Sequence, residues 1–185
     1  MINKSKNIEI DFQEDEILFL KGYYFKCSSI HIDKKITSKQ ISEINLNTFP
    51  PSLVFQDNEI IFIEHKYKSE LEQFAINNTI SLYERFDIWE HLNRPFLDTK
   101  FSESDQNNTT KLLIENGVSE NEITQIRKKI NRAMSKNSFA WEWVYLGLFD
   151  YLSWTLFTKK NYWWAMNIAL RNFNKTPSEN FKETN

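Results

Sequence analysis

Between Phe139 and Phe157 the chain reads FAWEWVYLGLFDYLSWTLF, and a helix drawn through it is apolar on almost every side. At about 100° per residue, Glu142, Asp150 and Ser153 fall within one wedge of roughly 80°, leaving the rest of the circumference to Trp, Tyr, Phe, Leu and Val. A helix of that kind has to be enclosed by other parts of a fold. Its 19 residues are just enough to cross a bilayer, but two carboxylates, Ser153 and Thr155 would each be costly in lipid. The polar wedge is also narrow and acidic, whereas a helix lying flat on anionic lipid needs a broad basic face. The stretch therefore reads as a buried core helix. A second aromatic cluster, Tyr162, Trp163 and Trp164, follows a break at 158–161. Asn161 is expected to cap a further helix there, running through Met166, Ile168 and Leu170 to Phe173.

The whole chain, 185 residues with 41% hydrophobic and 26% charged, suits one domain with a sizeable core or two small ones sharing an interface. Its formal net charge of −2 offers no basic field to a phosphate backbone, so nucleic acid is not an expected partner. Arg127, Lys128, Lys129 and Arg132 form the densest basic run. With no flanking aromatics among them, they read as a solvated helix face. A single cysteine, Cys27, rules out an internal disulfide framework and any multi-cysteine zinc site. The opening MINKSKNIEIDFQEDE has neither an apolar export core nor a small-residue cleavage site, and a cytoplasmic location is expected.

Taken in order, Ile8, Ile10 and Phe12 alternate with polar residues, and Ile17–Leu20 is an apolar run that Gly22 can turn back into YYFKCSSIHID, giving a β-meander. Further strands are expected around Ile36 and over Ile41–Leu46. Pro50 and Pro51 force an extended entry into SLVF, and QDN turns that strand into EIIFI as a hairpin. From Tyr67 the period becomes helical, with Tyr67, Leu71, Phe74 and Ala75 on one face. ISLYERF should return as a short strand. Asp87 and Glu90 then open a helix with Ile88, Trp89 and Leu92 inward, which Pro95 stops. A helix over 102–116 with Leu112 and Leu113 buried ends at Gly117, and Ser119 with Glu122 opens the most amphipathic one, with Ile123, Ile126, Ile130, Ala133 and Met134 on its apolar face.

The expected class is α+β: an antiparallel sheet-rich subdomain over 1–86 with one packed helix, a helical subdomain over 87–174 packed on it around the aromatic helix, and a frayed tail over 175–185. Three glycines, Gly22, Gly117 and Gly147, cannot build a phosphate-cradling loop, and no GxGxxG or GxSxG motif occurs. His31, His65 and His91 lack a metal-ligand spacing, so neither a metal nor a cofactor is expected. Catalysis, if any, would rest on Glu142 and Asp150, assisted by Arg94 or His91. A buried carboxylate must meet a cation, a donor or solvent, or hold a proton, and a protonated and an ionised acid side by side could serve general acid–base chemistry. The simpler reading is an ion pair from these acids to Arg94, Arg127 or Arg132, or a hydrogen bond from an indole N–H.

RPFLDTKF (Arg94–Phe101) and WEWVYLGLFD (Trp141–Asp150) together resemble an uncharacterised bacterial family in which a Pro-Phe-Leu-Asp-Thr element precedes Trp-Glu-Trp-Val and Leu-Gly-Leu by some forty residues. That resemblance covers the C-terminal half and implies no activity. The functional expectation is a non-catalytic cytoplasmic module that binds another protein, with toxin neutralisation of the immunity type as its concrete form, no membrane partner, and room for homo-oligomers. The alternatives are a small hydrolase-like enzyme on the carboxylate pair and a regulatory domain binding a small ligand near Lys21, Lys26, Lys34 and Lys35.

Overall fold

A computed structural model describes residues 8–97, 101–134, 147–154 and 158–173, the side chains of Ala133, Met134 and Trp154 excepted. Antiparallel sheets fill the N-terminal half and helices the C-terminal half, the α+β arrangement expected. The first sheet is β1 (Ile10–Phe12), β2 (Glu16–Phe19) and β3 (Lys35–Thr37) in that order, with α1 (Ile30–Asp33) leading into β3. The second is β4 (Ile41–Asn45), β5 (Ser52–Phe55) and β6 (Glu59–Phe62), also in sequence order. Short alternating or continuous apolar runs explain each strand, and β5, buried at every position, is the centre of its sheet. The β5–β6 link is a three-residue turn in which Gln56 and Asp57 take φ of 48° and 58°, and the Ser42 hydroxyl bonds Asp57 across it.

After a single 3-10 turn at His65–Tyr67, α2 (Lys68–Asn77) lays Leu71, Phe74 and Ala75 on β1, with Phe12 meeting the Phe74 ring edge-on at 5.9 Å. The helical half follows as α3 (Ile88–Asn93), α4 (Glu103–Glu115), α5 (Glu120–Met134), α6 (Leu148–Trp154) and α7 (Lys159–Ala169). One hydrophobic cluster runs from Ile8 through both sheets to Ala169, so the two halves share a core. No described helix is long and apolar enough to cross a membrane.

Several local expectations need correction. YYFKCSSIHID is not a strand: Tyr23 and Phe25 are buried, but the chain then turns through Ser28 and Ser29 into α1, placing His31 on a helix and Cys27 in a turn. The Ser29 amide bonds the Glu59 carboxylate, and serine's taste for turns overrides the β pattern. ISLYERF gives only one parallel bridge, Ile44 to Leu82. Leu113 is buried but Leu112 is 38% exposed, because Thr109 and Leu113 share the inward face of α4 and Leu112 lies a sixth to a third of a turn away.

The aromatic stretch is not one helix from Phe139 to Phe157. Gly147 is outside helix, and α6 begins at Leu148. Glycine is a poor helix former, and the Asp150 carboxylate accepts from the Gly147 amide at 3.1 Å, a capping arrangement that starts a helix here. Residues 139–146 and 155–157 and the tail from Asn174 lie outside the described residues. Within α6, Leu148, Asp150, Tyr151 and Leu152 are buried as expected. The cap of α7 is Thr158, whose hydroxyl accepts from the Asn161 amide at 3.2 Å, while Asn161 itself is inside the helix.

Two of the polar contacts that join the halves are built on carboxylates. Glu59 is fully buried at the start of β6, and its carboxylate accepts from the Tyr162 hydroxyl of α7 and the Ser29 amide. Burial, then the neighbouring Tyr23 and Glu59, push the Tyr162 phenol far above its ordinary range, so it stays a donor. The second contact is bidentate: Arg85 Nε donates to Glu43 Oε1 at 2.8 Å and Nη2 to Oε2, while Nη1 donates to the Asn172 carbonyl.

Candidate functional site

A wide groove lies between α5 and α7. A capping box starts α5, with the Glu122 carboxylate accepting from the Ser119 amide at 3.1 Å and hydroxyl at 2.8 Å. Ile123, Ile126 and Ile130 recur at helical spacing and are buried, leaving Gln125, Lys128, Lys129 and Arg132 on the outer sides. On α7, Tyr162, Ala165, Met166 and Ala169 face the core, and Trp164 is half-buried. The start of α5 meets the residues just after α7 through Glu122 and Arg171, while Lys129, farther along α5, reaches Asn161 and Trp164 near the start of α7. The two helices are therefore antiparallel, bridged by long side chains, with a groove of about 550 Å³ between them.

Ile126, Ile168 and Trp164 form the apolar floor of the groove, and Lys128, Lys129, Arg132 and Arg171 its rim, with Glu122 the one carboxylate among the described lining residues. Arg171 is committed: Nη2 donates to Glu122 Oε1 at 2.9 Å, Nη1 to the Gly117 carbonyl and Nε to Asn167. The Lys129 ammonium sits 3.5 Å from the centroid of the Trp164 ring and donates to Asn161 Oδ1 at 2.8 Å. Burial, then repulsion from Lys160, lower its pKa. Among the described residues no carboxylate lies within ion-pair distance of Lys128, Lys129, Arg132 or Lys160. Trp164 is propped from behind by Trp89 and Tyr151, each with its ring 6.1 Å away.

The basic run was thus only half legible. It does lie on a helix face, but an aromatic is interleaved with it after all, supplied by α7 and not by the flanking sequence. Arg127 lies at the other edge of the buried face of α5; its Nε and Nη2 are buried with no hydrogen-bond partner among the described residues, and burial lowers its pKa. Nothing in the structure assigns it a role. Of the five tryptophans after Phe139, Trp163 and Trp164 are half-buried, and the side chains of Trp141, Trp143 and Trp154 lie outside those described.

Glu122 also sets a pH dependence. The Arg171 guanidinium, then the Ser119 amide and hydroxyl, hold its carboxyl down to about 2. A carboxyl whose folded pKa lies below its unfolded value near ~4.3 contributes stability that is complete above that value and is lost as pH falls through the folded one. Urea midpoints of the native protein should therefore fall between about pH 5 and 2 more steeply than those of Glu122→Gln. Equal slopes would show that the Arg171 contact does not persist in solution.

Of the four catalytic candidates read from the sequence, the three that lie among the described residues are engaged locally. Asp150 caps α6. Arg94 approaches Glu90 at 4.0 Å as a half-exposed i,i+4 pair. His91 Nδ1 is 2.9 Å from the Asp87 carbonyl, and its ring lies on Phe86 with centroids 4.0 Å apart. Glu142, the other half of the proposed acid pair, lies outside the described residues, as do Asp98 and Thr99. Lys21 and Lys35, two of the four lysines considered for a ligand pocket, are paired with Glu9 and Glu16. Among the described residues no three His, Cys, Asp or Glu side chains converge as a metal site would require. A second cavity, about 60 Å³, lies between β5, the 85–88 segment and the first turn of α6, with the Glu43–Arg85 pair on its rim. It is smaller than the roughly 150 Å³ that accommodates a benzene ring.

No family model, curated protein or solved structure matches the chain.

Proposed function

We propose that this chain is a non-catalytic module that binds another protein, with the groove between α5 and α7 as its interface and toxin neutralisation in a bacterial cytoplasm as its concrete form. One observation carries the reading: on a chain of net charge −2, several cations without acidic partners among the described residues rim an open groove whose floor is apolar and carries a tryptophan. Cations gathered without counter-charges repel one another, and an acidic surface brought against them removes that repulsion. A half-buried tryptophan with an arginine in the same groove is also the composition of an energetic centre in a protein interface.

The test is co-expression with the polypeptide encoded beside this chain, followed by size-exclusion chromatography and titration. A one-to-one complex is expected, and Lys128→Glu with Arg132→Glu should weaken it about 30-fold, corresponding to roughly 2 kcal/mol. Both side chains are exposed and make no bond within the described residues, so the doubly substituted protein should keep its far-ultraviolet spectrum and melting temperature. Unchanged affinity in the folded variant would remove the groove as the interface.

A further inference from the structure

We infer that the element the groove receives is an acidic amphipathic helix of the partner, about three turns long; this rests on the protein-binding reading above.

The groove can offer side chains but almost no backbone. Within α5 and α7 the peptide groups are spent on their own helical bonds, and the α7 C-terminus is closed by bonds from the Leu170 amide to Met166 and Ile168. An extended segment entering here would bury amides and carbonyls with nothing to pair them, whereas a helix arrives with its own backbone satisfied. The floor also has helical spacing. On α7, Asn161, Trp164 and Ile168 stand at i, i+3 and i+7, with Arg171 just past its end, and on α5 Glu122, Ile126 and Lys129 stand at i, i+4 and i+7. From Glu122 to Arg132 is about 15 Å at 1.5 Å per residue, which sets the length of the occupant.

Charge selects its chemistry. Lys128 and Arg132, one turn apart on α5, rim one side without counter-charges among the described residues, and Lys160 stands near Lys129 beyond the floor. An apolar stripe seated on Ile126, Trp164 and Ile168 would carry its flanking residues past these cations, so those flanks are Glu or Asp about one turn apart. A third helix seated in the groove between the antiparallel pair completes a three-helix layer.

The probe is a labelled 14-residue synthetic peptide with Leu at helical spacing and Glu on both flanks. It is compared by fluorescence anisotropy with a peptide of the same composition whose Leu period is scrambled, with oligo-glutamate, and with a single-stranded DNA oligonucleotide. The periodic peptide should bind at least tenfold more tightly than any of the other three, gain helical ellipticity on binding, and lose at least tenfold in affinity to the Lys128→Glu, Arg132→Glu variant. Equal binding of the scrambled peptide, oligo-glutamate or DNA would overturn the inference in favour of an unspecific polyanion surface, and so would no binding of the periodic peptide. Should that peptide fail while the same variant still weakens the natural complex, the helical occupant falls and the protein-binding reading stands. Should the natural complex also be indifferent to the variant, both fall.

Discussion

Arg85→Ala is expected to lower the unfolding free energy by about 4 kcal/mol, read as the shift of the urea midpoint at constant slope. Arg85 ties the second sheet to the turn after α7. Its guanidinium holds both oxygens of Glu43, donates to the Asn172 carbonyl, and lies over the rings of Tyr83 and Phe173 at 4.8 and 5.0 Å. Only 15% of the Arg85 side chain and 12% of that of Glu43 are exposed, so removing the arginine strands a carboxylate that water reaches poorly. Truncating both partners, Glu43→Ala with Arg85→Ala, should cost less than the arginine substitution alone, because no orphan charge remains. Arg85→Lys should fall close to Arg85→Ala, since an ammonium cannot hold two carboxylate oxygens and a carbonyl in one plane. A loss below about 1 kcal/mol for Arg85→Ala would place the pair with ordinary surface bridges.

Neither Glu43 nor Arg85 stands out in the sequence, and the reason shows what a one-dimensional reading can reach. The hairpin of β5 and β6, the caps at Asp87 and Ser119, and the buried Ile123, Ile126 and Ile130 are local: spacing and turn chemistry within a dozen residues decide them. Glu43 is 42 residues from Arg85, Glu59 is 103 from Tyr162, and each pair exists only because sheet and helices pack together. The groove belongs to the same class. The basic residues of α5 were visible, but their meaning depended on a ring from α7 that the fold brings onto Lys129. Local rules also failed where two of them competed, as at 23–33, where apolar alternation favoured a strand and Ser28 and Ser29 favoured the turn that formed.

Trp89→Ala should cost as much as Arg85→Ala, about 4 kcal/mol, and unlike it should also damage the groove. Trp89 is fully buried at the crossing of α3, α6 and α7: its ring stacks on Tyr151 with centroids 4.3 Å apart and meets Trp164 edge-on at 6.1 Å, while Nε1 donates to the Ala165 carbonyl at 3.1 Å. Truncation leaves a cavity where three helices meet, and the cost of such a cavity grows with the volume the neighbours fail to refill. For a chain of this length the melting temperature should drop by roughly 10 °C. Trp89→Phe keeps a ring on Tyr151 but gives up the N–H bond, and should fall between the two. The functional consequence follows from geometry, because the face of Trp164 turned toward Lys129 is held in place by Trp89 and Tyr151 behind it. At a temperature where Trp89→Ala is still folded, the acidic helical peptide should bind it several-fold more weakly than the native protein, while Arg85→Ala, which is not among the described lining residues and approaches the groove at Asn172 beside Arg171, should bind with near-native affinity. Equal peptide affinity for Trp89→Ala and the native protein would mean that Trp164 keeps its place without support, and that the groove is shaped by α5 and α7 alone.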